Sequence, residues 1–337
     1  MHDAYAIKPP DPTLMDPFGR HITYLRLSVT DRCDFRCVYC MDPNQRFAQR
    51  DLTLSPDELL AVTRVFVSLG VRKVRLTGGE PLVRSDLIEL LGAISALPGL
   101  AELVLTTNGS QLAARARAIR NAGVRRINIS LDTLKPERFR QLTRNGDLGK
   151  VLAGIDVAIA AGFDRIKLNT VILGDHNGDE ILDLVRFALT KGINISFIEE
   201  MPVGEVANRP TQIYSSEQVR ARIAPHFTLI PTTETTGGPA RYYRIPDSST
   251  RIGFISPHSH NFCADCNRVR VTSEGQLLLC LGHADSLDLR AILRHYPGDD
   301  ARLRQAIIEA LRMKPQGHGF APGIATVLGR QMNLTGG

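Results

Sequence analysis

Tyr24-Leu25-Arg26-Leu27-Ser28-Val29 runs directly into Thr30-Asp31-Arg32-Cys33, and two more thiols complete the spacing Cys33-x3-Cys37-x2-Cys40. The run from Tyr24 to Val29 reads as a β-strand, so the thiols fall on the loop that follows it. The same kind of run recurs at Lys73 to Leu76, Glu102 to Thr106, Arg126 to Leu131, Arg165 to Ile172 and Ile193 to Ile198, with amphipathic helical stretches in the intervals. Ser55 with Glu58 gives a capping-box start for a helix through Leu69, which Gly70 ends; Ser85 opens the next helix, and Pro136 suits the start of another. Right-handed βαβ crossovers lay such strands in parallel. The expected fold is therefore α/β, an incomplete (βα)6 TIM-like barrel with its working residues at the carboxyl ends of the strands.

The thiols come in two clusters of three: Cys33, Cys37 and Cys40, then Cys263-x2-Cys266-x13-Cys280, with no cysteine left over. A structural zinc takes four protein ligands, so two separate sets of three suit metal centres that each keep one position open. A disulfide framework belongs to short secreted chains, whereas this one has 337 residues and no basic, apolar leader pattern at its start. One zinc shared between the triplets remains an alternative, although it would leave ligands over. Sulfur-only ligation by closely spaced thiols also suits iron–sulfur clusters.

Hydrophobic residues make up 43% of the chain and charged residues 23%, enough for a large core, and no apolar run reaches membrane-spanning length. A cytoplasmic enzyme with no membrane partner is expected. The net charge of +6 favours an anionic substrate or a basic binding face, and a solvated basic surface would give the same number.

The remaining motifs fall at the expected strand ends. Gly78-Gly79-Glu80-Pro81 follows the second strand, Thr106-Thr107-Asn108-Gly109 the third, and Ser130-Leu131-Asp132 ends the fourth. Lys167 and Asn169 lie on the fifth, and Glu199-Glu200-Met201-Pro202 closes the sixth. Taken singly, each has a bland reading: a tight turn for the glycines, a polar turn for Thr107 to Gly109, core filling for Met201. Their shared rim position favours ligand contact.

Beyond residue 203 the alternation stops, which divides the chain into a barrel region, 1–203, and a smaller C-terminal α+β region, 204–337. Loop-rich stretches are expected at 204–210 and 232–239 and a helix at Glu217 to Ile223. Strands are expected at Tyr242 to Ile245, Ile252 to Ile255, Val269 to Thr272 and Leu277 to Leu279, then helices at Ser286 to Arg294 and Ala301 to Met313. Within Cys266-Asn267-Arg268-Val269-Arg270, strand alternation puts Arg268 and Arg270 on one face, where two guanidinium groups can meet phosphate oxygens. Lys73 and Arg75 repeat that arrangement, with Arg26 and Lys167 on neighbouring strands; several such cations at one barrel mouth would suit a polyphosphate.

The first triplet, with Tyr39 before its third thiol, and the GGEP segment resemble the signature of radical S-adenosylmethionine (SAM) enzymes. Adding Asp16 to Arg20, Leu25 to Cys33, Thr106 to Gly109, Cys263 to Thr272 and the terminal Gly336-Gly337, nearly the whole chain resembles the GTP 3′,8-cyclase family, whose reaction opens molybdenum cofactor biosynthesis. The resemblance implies two [4Fe-4S] clusters. Cys33, Cys37 and Cys40 would hold the one that binds and cleaves SAM, and Cys263, Cys266 and Cys280 one whose free iron meets guanine. A 5′-deoxyadenosyl radical would take hydrogen from C3′ of GTP, and the carbon radical would attack C8, giving (8S)-3′,8-cyclo-7,8-dihydroguanosine 5′-triphosphate.

By the same resemblance Tyr39, Gly79, Ser130 and Met201 match SAM-contacting positions. Arg26, Arg75, Thr106, Lys167, Arg268, Val269 and Arg270 match GTP-contacting ones, with Lys73 a further phosphate contact. Gly336 and Gly337 are expected to reach the active site and arrange catalytically important arginines, Arg268 and Arg270 among them. An electron donor of flavodoxin or ferredoxin type is expected, with cyclic pyranopterin monophosphate synthase downstream; the oligomeric state stays open, a homodimer included. Three positions depart from the family pattern: Asp34 replaces an asparagine, Asp42 a proline, and Ser196 an arginine before Phe-Ile-Glu. A peptide-modifying radical SAM enzyme is one alternative. A basic zinc protein binding nucleic acid is another, but it leaves the rim motifs unexplained, and the chain shows no nucleic-acid recognition element.

Overall fold

The computed structural model describes residues 14–174, 176–201, 213–320 and 331–336. The loop expected at 204–210, Pro202 and Gly337 lie outside the described residues.

Six strands form where the alternation places them: β1 (Tyr24–Ser28), β2 (Lys73–Thr77), β3 (Glu102–Thr107), β4 (Arg126–Ser130), β5 (Arg165–Ile172) and β6 (Asn194–Glu199). The helices between them are α1 (Pro56–Ser68), α2 (Leu87–Ser95), α3 (Leu112–Asn121), α4 (Pro136–Thr143), α5 (Leu148–Ala160) and α6 (Ile181–Lys191). The Ser55 and Glu58 capping box closes in both directions, at 3.1 and 2.8 Å, and removes two of the orphan amides at the start of α1. Helix α2 starts two residues after the expected Ser85. Its flanking Asp86 makes no cap, because Arg84 holds that carboxylate with two bonds of 2.7 Å.

The C-terminal region adds α7 (Ser216–Ile223), β7 (Ile230–Pro231), β8 (Arg241–Arg244), β9 (Arg251–Ile255), β10 (Arg268–Val271), β11 (Gln276–Leu278), β12 (Ser286–Asp288), α8 (Leu289–His295), α9 (Asp300–Leu311) and α10 (Met332–Thr335). Ser286 to Asp288, expected as helix, pair instead with β11, and the Asp288 carboxylate caps α8 by accepting from the Ala291 amide. These strands lengthen the barrel sheet at both edges. Strand β10 joins β1 in parallel and β9 joins β6 in parallel, within a twelve-stranded sheet ordered β12-β11-β10-β1-β2-β3-β4-β5-β6-β9-β8-β7. Among the described residues no helix is long and apolar enough to cross a membrane.

Alternation along the strands separates the two faces. Leu25, Leu27, Val74, Leu76, Leu105, Ile127, Leu168 and Ile195 are fully buried in the shared apolar core, each contributing about 1.5–3 kcal/mol. The intervening positions, Tyr24, Arg26, Arg75, Asn128, Lys167 and Asn169, line one cavity together with residues of β6, β9 and β10. Strands from both ends of the parallel run reach the same cavity, so the sheet curves around it as an open barrel. A parallel strand buried on both faces usually reads as continuous apolar sequence. Here the polar alternation marks a lumen kept for chemistry.

Candidate active site

All six cysteines are free thiols, and each triplet lines its own chamber. No three His, Cys, Asp or Glu side chains among the described residues converge closely enough for a single metal ion. Each chamber offers three thiol sulfurs, the donor set that suits one iron–sulfur cluster.

The first chamber is lined by Cys33, Cys37, Cys40, Tyr39, Gly78, Gly79, Thr106, Ser130 and Met201. The cysteine loop and the GGEP loop are laced together: the Gly79 amide donates to the Thr30 carbonyl at 2.7 Å and the Glu80 amide to the Arg32 carbonyl at 2.8 Å. A Cβ on Gly79 would stand 2.2 Å from that Arg32 carbonyl. Backbone-to-backbone contact therefore forbids any side chain there, whatever ligand occupies the cavity face. Glu80 is fully buried and accepts from Leu82 N, Thr107 Oγ1 and Asn108 N at 2.6–2.9 Å; burial pushes its carboxyl up to about 7. Tyr39 donates to Asp132 at 2.6 Å, and the other Asp132 oxygen accepts from Val171 N, tying the cysteine loop to β4 and β5. Asp34 accepts from Asn108 Nδ2 at 2.7 Å and Ser110 Oγ at 2.6 Å, joining that loop to the end of β3.

The second chamber is lined by Cys263, Cys266, Cys280, Arg26, Arg75, Lys167, Arg268, Val269 and Arg270. Arg20 anchors its cysteine loop. It pairs with Asp16 at 2.6 Å and donates to the carbonyls of Cys263, Gln316 and Pro315, each at 2.7 Å. Lys314, which sequence reading missed, is buried and donates to the Arg268 carbonyl at 3.2 Å and to the Leu279 carbonyl. Burial opposes ionisation of Cys266, but Lys314 and Arg268 outweigh it and lower the thiol. Burial pushes Cys40, in the first triplet, up to about 12.

Register explains the crowding of cations. Arg26 sits beside Arg75 on one side and Arg270 on the other, and Tyr24 sits between Lys73 and Arg268. Arg75 donates to Thr106 Oγ1 at 2.9 Å and to the Tyr24 hydroxyl. Lys167 reaches the Tyr242 hydroxyl at 3.4 Å. Lys73 is not among the lining residues: it pairs with Glu102 at 2.8 Å and donates to the Thr236 carbonyl at 2.6 Å. Arg126, also missed from sequence, shares Glu102 at 2.9 Å. Burial and then neighbouring guanidinium groups lower Lys167 to about 7 and Lys73 to about 8. Burial raises the Tyr24 phenol, but Arg75, Arg26 and Lys73 more than reverse it, to about 7. A site this rich in partly buried cations is electrostatically complete only around an anion.

Asn169, Ile198, Met201 and Met332 line both chambers, so the two thiol sets face each other across a shared wall. Met332 belongs to a terminal segment whose path the sequence does not encode locally. Its amide donates to the Cys40 carbonyl at 3.1 Å, Asn333 donates to the Asp31 carbonyl at 3.0 Å, and the Gly336 carbonyl accepts from Arg26 and Arg270. Buried oxygens of Asn128, Asn169 and Ser196 on β4 to β6 have no hydrogen-bond partner among the described residues. Opposite Ser196, a Cβ on Gly253 would lie 2.4 Å from its hydroxyl, so the small pair fills the place that a larger residue at 196 would need.

Residues 27–188 match the model of the Radical SAM superfamily, and residues 193–320 match that of Molybdenum Cofactor Synthesis C. A GTP 3′,8-cyclase of Ectopseudomonas mendocina is 57% identical, the alignment covering 96% of this chain and 98% of that one. One of Pseudomonas entomophila is 58% identical over the same shares. Among solved structures, Streptococcus suis SuiB bound to S-adenosylmethionine aligns with a TM-score of 0.60 at 16% identity, covering 84% of this chain and 67% of that one. At that identity the likeness concerns the fold.

Proposed function

Because the chain belongs to the GTP 3′,8-cyclase family of radical SAM enzymes, we propose that it converts GTP to (8S)-3′,8-cyclo-7,8-dihydroguanosine 5′-triphosphate between its two thiol-lined chambers. The observation that carries this reading is the shared wall of Asn169, Ile198, Met201 and Met332, with the cations confined to the second chamber.

The division of labour follows from what lines each side. Cys33, Cys37 and Cys40 would hold the first [4Fe-4S] cluster, and Tyr39, Gly79, Ser130 and Met201 would contact SAM. When bound, cluster and SAM together would supply a 5′-deoxyadenosyl radical. Cys263, Cys266 and Cys280 would hold a second [4Fe-4S] cluster on the guanine side. Arg26, Arg75, Lys167, Arg268 and Arg270 take the triphosphate with the Val269 backbone, Thr106 on the first-chamber side accepts from Arg75 and orients it, and Lys73 completes the charge from behind. Fixing the phosphates spends remote binding energy on placing C3′ at the shared wall, where it loses hydrogen and then bonds to C8. The Gly336 carbonyl holds Arg26 and Arg270 in place. An electron carrier of flavodoxin or ferredoxin type completes the turnover, and the product passes to cyclic pyranopterin monophosphate synthase. The division into 1–203 and 204–337 separates the two thiol triplets, while Arg26, Arg75 and Lys167 of the first part join Arg268 and Arg270 of the second around GTP. Anaerobic reconstitution followed by incubation with GTP, SAM and dithionite tests the reading: it requires 5′-deoxyadenosine and a cyclised nucleotide isomeric with GTP itself. Formation of 5′-deoxyadenosine alone would move the substrate assignment elsewhere.

A further inference from the structure

We propose that the outer face of the first cysteine loop is the docking surface for a small acidic one-electron carrier protein. The inner face of this loop fronts the SAM chamber, so an electron from outside must arrive over the other side. That side is built from Arg32, Arg36, Arg46, Phe47 and Arg144. The Arg36 guanidinium lies 4.4 Å from the centroid of the Phe47 ring and donates to the Cys33 carbonyl at 3.0 Å. Arg32 stands 6.0 Å from the same ring, and Arg144 donates to the carbonyls of Arg36 and Met41 at 2.8 and 3.4 Å. Arg32 and Arg46 are exposed.

None of these four arginines pairs with a carboxylate among the described residues; exposed Arg72, Arg117, Arg241, Arg244 and Arg312 share that trait, and what sets the four apart is their grouping at one loop. The acids closest in sequence are otherwise engaged: buried Asp31 accepts from Ala48 N, Asp34 from Asn108 and Ser110, Asp42 from Asn44 N, and Asp147 from Gly149 N and Lys150 N. An exposed arginine is ordinary by itself. Four without acids, two of them packed on Phe47 and one on the backbone of the loop that carries the first triplet, form a surface of the kind that steers and seats an acidic partner.

The proposal rests on the reading of Cys33, Cys37 and Cys40 as the SAM-cleaving centre, because that cleavage consumes one electron. A carrier such as flavodoxin hydroquinone gives up that electron and becomes the semiquinone. A cluster held by Cys33, Cys37 and Cys40 would use that electron for the reductive cleavage of SAM to methionine and the deoxyadenosyl radical.

The test compares wild-type holoenzyme with the double variant Arg32→Glu, Arg46→Glu by the rate of 5′-deoxyadenosine formation, driven either by reduced flavodoxin or by dithionite. The variant should lose about tenfold or more with flavodoxin and keep the wild-type rate with dithionite. The neutral pair Arg32→Gln, Arg46→Gln should fall between, and the wild-type flavodoxin rate should drop as salt rises from about 50 to 300 mM. A glutamate variant that retains the flavodoxin rate, or that loses the same factor with dithionite, overturns the docking surface. No 5′-deoxyadenosine from wild type with dithionite would instead overturn the functional reading beneath it.

Discussion

Arg270 donates through Nη1 to the carbonyl of Gly336 at 2.6 Å, and Arg26 reaches the same oxygen through Nη2 at 3.1 Å. The terminal segment thus fixes two cations that stand side by side on β1 and β10. Gly336 sits at φ +75°, and a Cβ there would be 2.2 Å from Thr77 Cγ2. Gly336→Ala should displace the tail and slow cyclisation by about a hundredfold, the scale of a small misplacement at a reacting centre. Iron content and SAM cleavage without GTP should be unchanged. Product quantified against 5′-deoxyadenosine by mass spectrometry measures this split.

GTP binding should take up protons. In the free site Lys167 lies at about 7 and Lys73 at about 8 because of burial and cationic neighbours. A triphosphate favours their charged forms and raises both. Protonated Lys167 meets the ligand and protonated Lys73 adds charge behind it, so their contribution to affinity is full below about pH 7 and falls as pH rises through the free-site values. Each group that deprotonates lowers affinity, and together they should reduce it by at least about tenfold by pH 9. Calorimetry at pH 7 and pH 9 in buffers of different ionisation enthalpy reads both the affinity and the proton count; equal affinity at the two pH values would be incompatible with this account.

Arg20→Ala should cost the second cluster and spare the first. Arg20 is the common donor to the carbonyls of Cys263, Gln316 and Pro315, and Lys, a single point of charge, cannot reproduce that fork. Iron and sulfide analysis with electron paramagnetic resonance should show about half the wild-type iron for both Arg20→Ala and Arg20→Lys. Loss of both clusters together would point to general unfolding.

Asp34→Asn should raise the midpoint potential of the first cluster. The Asp34 carboxylate is held by Asn108 and Ser110 beside Cys33, and a nearby negative charge favours the oxidised cluster. Asparagine can keep a bond to each partner, because the Ser110 hydroxyl can turn to accept. Redox titration of the reconstituted protein gives the potential directly; an unchanged or lower value would remove Asp34 from the tuning of this centre.

The six βα units and both triplets were legible because they are local: strand runs, a capping box and cysteine spacing need no knowledge of distant contacts. Arg268 and Arg270 were legible for the same reason, since alternation within β10 puts them on one face. Arg126, Lys314 and Met332 were not. Arg126 matters because its side chain shares Glu102 with Lys73 across three strands, Lys314 because the chain after α9 folds under the second cysteine loop, and Met332 because the terminal segment crosses back over Cys40. Pairing of β9 and β10 with opposite edges of one sheet is likewise a long-range fact. For Ser196 the sequence showed a departure, and only the structure showed Gly253 facing it.

The most direct test of a substrate held between the two thiol sets is isotopic transfer from GTP deuterated at C3′, using reconstituted protein, SAM and dithionite under anaerobic conditions. The account predicts that 5′-deoxyadenosine gains one mass unit and that the nucleotide product, cyclised between C3′ and C8, has lost that deuterium. Unlabelled 5′-deoxyadenosine alongside unreacted GTP would contradict it.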